Sequence, residues 1–334
     1  MNILKKVIVC IVISIVIQSS VLFYLDKIFF KESTQFVIET VDTPIETKVS
    51  NIYIPSDSEN IKASFNGNFI TYFQNGKLKI INTTTGETKE ILNGTNILSV
   101  EWVPKNNTLF LVENKHGEIN TKTYNATNEV EQDICKLANY NENDTIQSFI
   151  SLSTEYVSIT NGNNTTIYRV DIEKERKKIS NFKFMLGTAS VSPNKDLFYF
   201  EDFYNKEFYQ YSNGSSKKIN LQNTNQLTIL KAIGNTLYIG EYSDDNKISK
   251  IIYGESISDM NNWKTQVLNE KVDKKDIYIS SDNQIYINNN LQGTVTNITT
   301  GEVIQYDDNL LFINDKVICT IKNNYVYFIN LNDS

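Results

Sequence analysis

Two periodicities divide the chain. Val7 to Leu25 is an almost unbroken apolar run of 19 residues, interrupted by Ser14, Gln18, Ser19 and Ser20, with Lys5 and Lys6 before it and the Asp26–Lys27 pair after it. As a helix it reaches roughly 28 Å, the hydrocarbon thickness of a bilayer. The lysines ahead of it predict a cytoplasmic N-terminus. A cleaved signal peptide would end its apolar region at small residues. Here Val21–Leu25 continues past Ser19–Ser20, which favours an uncleaved signal-anchor. Cys10 follows Val9, where a lipobox needs a small residue, so lipidation is not expected there.

From Phe36 onward the pattern is short alternating runs separated by Asn, Gly, Asp and Ser, the pattern of strands and turns. Aromatic-rich runs recur after Asn68, Thr108, Tyr156, Leu197, Thr236, Gln284 and Lys316, at spacings of 32 to 48 residues. A second apolar run precedes most of them, beginning at Ile97, Ile146, Thr188, Leu227, Asp276 and Asn309. Polar hairpins follow most of them, as in 77–92, 117–134, 165–180, 207–221 and 293–306. Four short strands returning about every 40 residues predict propeller blades. Each blade is too small to bury both faces and must pack radially on its neighbours. The expected fold is all-β, a seven-bladed β-propeller behind a single N-terminal transmembrane helix, with six or eight blades as alternatives. The expected organisation is a cytoplasmic tail over 1–6, a transmembrane helix over 7–25, a stalk with a ring-closing strand over 26–60, and the propeller over 61–334. The last unit offers three strands, so Gln35–Val41 or Val49–Ile54 is expected to pair with Tyr325–Leu331 and close the ring.

Two segments carry a family resemblance. Glu101-Trp-Val-Pro-Lys-Asn-Asn-Thr-Leu109 and Val191-Ser-Pro-Asn-Lys-Asp-Leu197 resemble the W-S-P-D-G-K-x-L stretch of TolB-like and WD40-like propellers, without the Asp-Gly pair. The resemblance implies that each segment is the turn between the first two strands of a blade. That motif is structural and implies no functional residues.

Composition narrows function by exclusion. Nineteen Tyr and 17 Phe against 4 Pro suit strands, and a net charge of −7 argues against nucleic acid, which needs a concentrated basic surface. Abundant Asn, Ile and Lys point to a low-GC bacterium. In so Asn-rich a chain, Asn-x-Ser/Thr triplets at Asn82, Asn93, Asn125, Asn213 and Asn297 arise by chance.

Candidate chemistry is sparse. His116 is the one histidine of the chain and sits in a polar turn, so a His-based metal site is not expected. No G-x-S-x-G elbow is present. The Ser256–Trp263 stretch resembles an Asp-box but lacks its Asp and Gly positions, and reads better as a hairpin whose Trp packs between strands. The turns at 243–246 and 307–309 are acidic but follow no known Ca²⁺-loop spacing. Cys135 and Cys319 fall in non-neighbouring units and are expected as free thiols. Glu201–Asp202, at a strand end, is the carboxylate pair that an enzyme reading would need. No catalytic, cofactor-binding or metal residue is assigned, and no cofactor is expected. The expected role is a non-enzymatic binding or scaffold module, anchored in the cell membrane with its C-terminal domain extracytoplasmic, whose partner is an envelope protein or a cell-wall glycan. The alternatives are an envelope hydrolase or lyase with carboxylates at the channel mouth, and the extracytoplasmic subunit of a sensor.

Overall fold

A computed structural model describes Gln18 and residues 52–331, apart from 172, 222–225, 256–261 and 308. Among the described residues no helix is long and apolar enough to cross a membrane. The apolar run at 7–25, Gln18 apart, and the run at 35–41 lie outside the described residues.

Seven antiparallel sheets follow one another along the chain, six of four strands and a last of three, each in simple sequential order. They occupy residues 59–90, 96–139, 145–182, 186–219, 227–272, 277–305 and 309–330, numbered here as blades 1 to 7 with strands A to D in chain order. First strands pack on first strands, blade 1 on 2, 2 on 3, 3 on 4, 4 on 5 and 7 on 1, so every strand A lies at the centre. Seven blades therefore close a ring around a channel. Every strand A runs from the connection between blades toward its own A–B turn. The blade connections and B–C hairpins thus share one face, the upper rim, and the A–B and C–D turns share the lower.

The aromatic-rich runs are the B strands, and their composition follows from position. A strand sandwiched between two neighbouring blades is apolar on both faces, so it loses the usual alternation. In blade 2, Leu109 and Leu111 face blade 1 while Phe110 and Val112 face blade 3. In blade 4, Phe198 and Phe200 join the cluster with blade 3, and Tyr199 the cluster with blade 5. The seven hydrophobic clusters correspond to the seven blade interfaces. The one between blades 7 and 1 holds Ile52, Ile54, Ile70, Tyr72, Ile81, Cys319 and Val326.

That interface closes the ring. Tyr53 bridges antiparallel to Tyr325, Ile54 N–H donates to Asn324 O at 2.8 Å, and Val326 N–H donates to Ile52 O at 2.9 Å. The Tyr53 and Tyr325 rings meet edge to face with centroids 5.7 Å apart. Three residues ahead of blade 1 thus stand as the fourth strand of blade 7. The first inner strand, Glu59–Ala63, starts two residues before the sequence boundary at 61.

The A–B turns carry the resemblance noted in the sequence, and a serine recurs in them. Ser64, Ser151 and Ser280 each accept, through Oγ, the N–H that opens or precedes the following strand: Phe69 at 3.1 Å, Thr154 at 3.0 Å and Gln284 at 3.0 Å. Ser192 stands at the same place, its N–H donating to Leu197 O. A short hydroxyl side chain closes such a turn by replacing a backbone acceptor.

Asn82, Asn125 and Asn297 cap C–D turns, their Oδ1 accepting two backbone N–H groups each. Cys135 and Cys319 are free thiols in blades 2 and 7, and burial raises the pKa of both. Trp263 lies over Gly254, where a Cβ would sit 2.5 Å from the indole ring, and its Nε1–H donates to Glu255 O at 3.1 Å. The rest of the Asp-box-like stretch, 256–261, lies outside the described residues.

Candidate functional site

Every blade interface carries a polar tie near the channel. Lys62 of blade 1 donates to Val100 O at 2.9 Å and pairs with Glu101 of blade 2 at 2.5 Å. Ser99 bonds Ser148 at 2.6 Å across blades 2 and 3, and Leu152 N–H donates to Pro193 O at 2.8 Å across 3 and 4. Ala232 N–H donates to Ser190 Oγ at 2.9 Å across 4 and 5, and Lys231 donates to Ile279 O across 5 and 6. Tyr278 donates to Asp315 at 2.7 Å across 6 and 7, and Asn314 to Ser64 O at 3.3 Å across 7 and 1. At roughly 0.5–1.5 kcal/mol each, such bonds add modest stability, but they fix the angle of each blade against the next.

Two charged groups inside this belt, Lys231 and Glu101, are partly withdrawn from water. Lys231 lies over the Tyr278 ring, 4.6 Å from its centroid, and burial lowers its pKa against the pull of Asp315. Glu101 is raised by burial, with Lys62 opposing. About a third of each of the Lys62 and Glu101 side chains stays accessible, as a group facing a narrow channel should.

The upper mouth holds a denser cluster at blades 4 to 6. Lys274, on the connection into blade 6, reaches across the start of blade 5 and donates to Thr188 Oγ1 of blade 4 at 2.6 Å and Thr228 Oγ1 of blade 5 at 2.8 Å. The two hydroxyls are 3.2 Å apart. Burial lowers the pKa of Lys274; nearby Glu201 works against this and nearby Lys206 adds to it. Tyr242, raised by burial, sits with its hydroxyl beside Thr228. On the adjoining B–C hairpin, Lys206 lies 4.6 Å over the Phe203 ring, and Phe203 meets Tyr204 edge on at 5.2 Å.

The carboxylates singled out by sequence do not converge there as an acid–base pair. Glu201 is buried, its Oε1 accepting Thr188 N–H at 2.8 Å and its Oε2 accepting Ile229 N–H at 3.4 Å. It ties blade 4 to blade 5. Asp202, on the opposite face of the same strand, accepts the N–H groups of Tyr204 at 2.9 Å and Asn205 at 3.1 Å and shapes the hairpin. His116 is exposed in the B–C turn of blade 2, at φ +56°. Asp245 is held by Ser243, which lowers its pKa, and lies 3.5 Å from Lys271. Among the described residues no group of three or more His, Cys, Asp or Glu is placed to hold a metal ion.

One further carboxyl is perturbed away from the mouth. Glu155, on the second strand of blade 3, is pushed up to about 7 by burial, with Asp171 adding and Arg169 opposing. Its protonated form is favoured in the folded state, so the fold binds more protons than the unfolded chain between about pH 4.5 and 7. Stability therefore falls as pH rises through that window. Glu155→Gln should stabilise the protein at pH 8, by on the order of 2–3 kcal/mol, and leave pH 4 stability nearly unchanged. Denaturant melts at the two pH values check this; equal effects at both would refute it.

No protein-family profile matches the sequence, and no curated protein does. Solved structures do. An oligogalacturonate lyase from Vibrio parahaemolyticus aligns with a TM-score of 0.58 at 11% identity, covering 86% of this chain and 96% of that one. An oligogalacturonate lyase in complex with manganese aligns with a TM-score of 0.58 at 11% identity, over 83% of this chain and 90% of that one. A chain of the mitotic checkpoint complex aligns with a TM-score of 0.55 at 10% identity, over 87% and 96%. The fold is that of the β-propellers. Propellers of this shape serve in lyases and in a checkpoint assembly alike, so the likeness carries the architecture and leaves the role to this chain's own residues.

Sequence reasoning missed Lys274. It lies in Asp273-Lys-Lys-Asp276, which reads as a solvated charged turn. The usable signal was the register: Thr188 and Thr228 are polar residues at matching places in consecutive inner strands.

Proposed function

We propose that this protein is a binding module of the cell envelope, a rigid propeller held outside the membrane by the apolar segment at 7–25. The observation that carries the reading is the state of Glu201 and Asp202. The carboxylates best placed by sequence for acid–base work are committed to backbone N–H groups, where they brace the mouth. Exposed aromatics, Phe203 and Tyr204, stand beside them on the same rim, the residue type in which recognition surfaces are enriched. The anchor contributes by confining that surface near envelope partners and raising their effective concentration.

In crosslinked cells the full-length protein should capture a specific envelope component, and replacing residues 1–30 by a cleaved signal peptide should weaken the capture. Protease added to intact cells, wall removed, should digest the propeller and leave a membrane stub. A secreted form with its N-terminus at Val21 would overturn the anchor. The rival reading, an envelope hydrolase or lyase, requires a carboxylate that solvent can reach. Glu101, accessible in the channel, is the one to test: turnover of an envelope polymer lost in Glu101→Gln, with an unchanged melting curve, would replace the binding reading.

A further inference from the structure

The donors at the upper mouth are arranged for an anion. The Lys274 ammonium has three N–H bonds, and the two with described partners go to neutral hydroxyls. No carboxylate lies within ion-pair distance of it among the described residues. Glu201 is near enough to act on it, but both its oxygens are engaged by Thr188 and Ile229 N–H groups. Thr188 and Thr228 each accept from the ammonium, so their own O–H groups are left to donate. With the two oxygens 3.2 Å apart, one donates to the other and one O–H remains. The Tyr242 hydroxyl beside Thr228 extends the run. A partly desolvated cation backed by hydroxyl donors gains more from a carboxylate than one in open water does.

The second observation lies one hairpin away. Phe203 and Tyr204 are 43% and 62% exposed. Large aromatics left this open, at the tip of a hairpin pinned by Asp202, present flat apolar faces with a cation, Lys206, across one of them. Their open placement on a rim suits the face of a sugar ring better than an apolar peptide side chain, which gains most from an enclosing pocket.

We infer that the upper mouth over blades 4 to 6 binds an acidic glycan, with the sugar carboxylate on Lys274 and the Thr188 hydroxyl, which the buried Thr228 backs, and a neighbouring ring on Phe203 and Tyr204. This deepens the binding-module reading and rests on it.

Titration of the full-length protein in detergent with a uronic-acid tetrasaccharide, its methyl ester and a peptide ending in a free carboxylate tests the assignment. The acid should bind, the ester at least tenfold more weakly, and affinity should fall as salt rises. Lys274→Met and Tyr204→Ala should each weaken the acid at least tenfold, while Lys105→Met on the lower rim should not. Should Lys274→Met melt early, Lys206→Met, half-buried over the Phe203 ring, removes the neighbouring cation of the same site and should likewise weaken the acid. Equal binding of acid and ester, or wild-type affinity in these variants, overturns the site. Tighter binding of the peptide overturns the glycan. Absent glycan binding with envelope capture intact in cells defeats this inference alone; loss of both defeats the binding reading as well.

Discussion

Replacing Ile54 by Asp should unfold the propeller as a whole rather than fray one end of it. Ile54 is 1% exposed and sits in the cluster shared by blades 7 and 1. Even Ile54→Ala removes enough buried surface to cost about 2–5 kcal/mol, and a domain of this size loses on the order of 2–4 °C in Tm per kcal/mol. A carboxylate there has no partner and costs more still. The effect should be cooperative, because the blade 7–blade 1 interface is completed by this strand and a ring opened at one seam exposes two blade faces. The converse also follows. Tyr53 and Tyr325 oppose each other directly across an antiparallel bridge, a separation that a disulfide spans. The oxidised Tyr53→Cys/Tyr325→Cys pair should gain about 2–4 kcal/mol, lost on reduction. Calorimetry of the full chain under both redox conditions checks the pair. A Tm for Ile54→Asp within a few degrees of the parent would show that the ring closes without this strand.

The second large effect is expected at Gly187. A Cβ there would stand 2.5 Å from Glu201 Cγ and 2.6 Å from its Oε1. Gly187→Ala must therefore displace a buried carboxylate that accepts two backbone N–H groups from different blades. Overpacking of this kind costs about 1–3 kcal/mol, and each stranded donor adds roughly 1–3 kcal/mol. Glu201→Ala incurs the second cost without the first. The two substitutions act on one object, so the double variant should be less destabilised than their sum by more than about 1 kcal/mol. Strict additivity in denaturant melts would show that Glu201 does not brace the blades through its seat over Gly187.

The repeat was legible because one physical constraint wrote it seven times. A B strand between two blades must be apolar on both faces, and Phe69–Gln74, Thr108–Lys115 and Phe198–Asp202 each show it. The serine of the A–B turn was equally present in the sequence, at 64, 151, 192 and 280, but three of those turns lack the proline that draws the eye. The closing strand was harder. Three residues carry no periodicity, and only the missing fourth strand of blade 7 pointed to them. The mouth was illegible for a different reason. Lys274, Thr188 and Glu201 are brought together by the angle between three blades, and no spacing along a chain encodes that angle. Glu201 looked available because sequence does not reveal that a glycine opposite leaves room to bury it.

The closing strand also decides how the ring answers to force. Tension transmitted along the polypeptide ahead of Ile52 arrives at Tyr53, which is held to blade 7 by a few backbone hydrogen bonds and an edge-on ring contact. The blades beyond it are each one continuous antiparallel meander. Pulling between the N-terminal side and a ligand gripped at the mouth would strip this short strand before it strained any blade. The ring has a breaking point, and it lies where the chain would meet a tether.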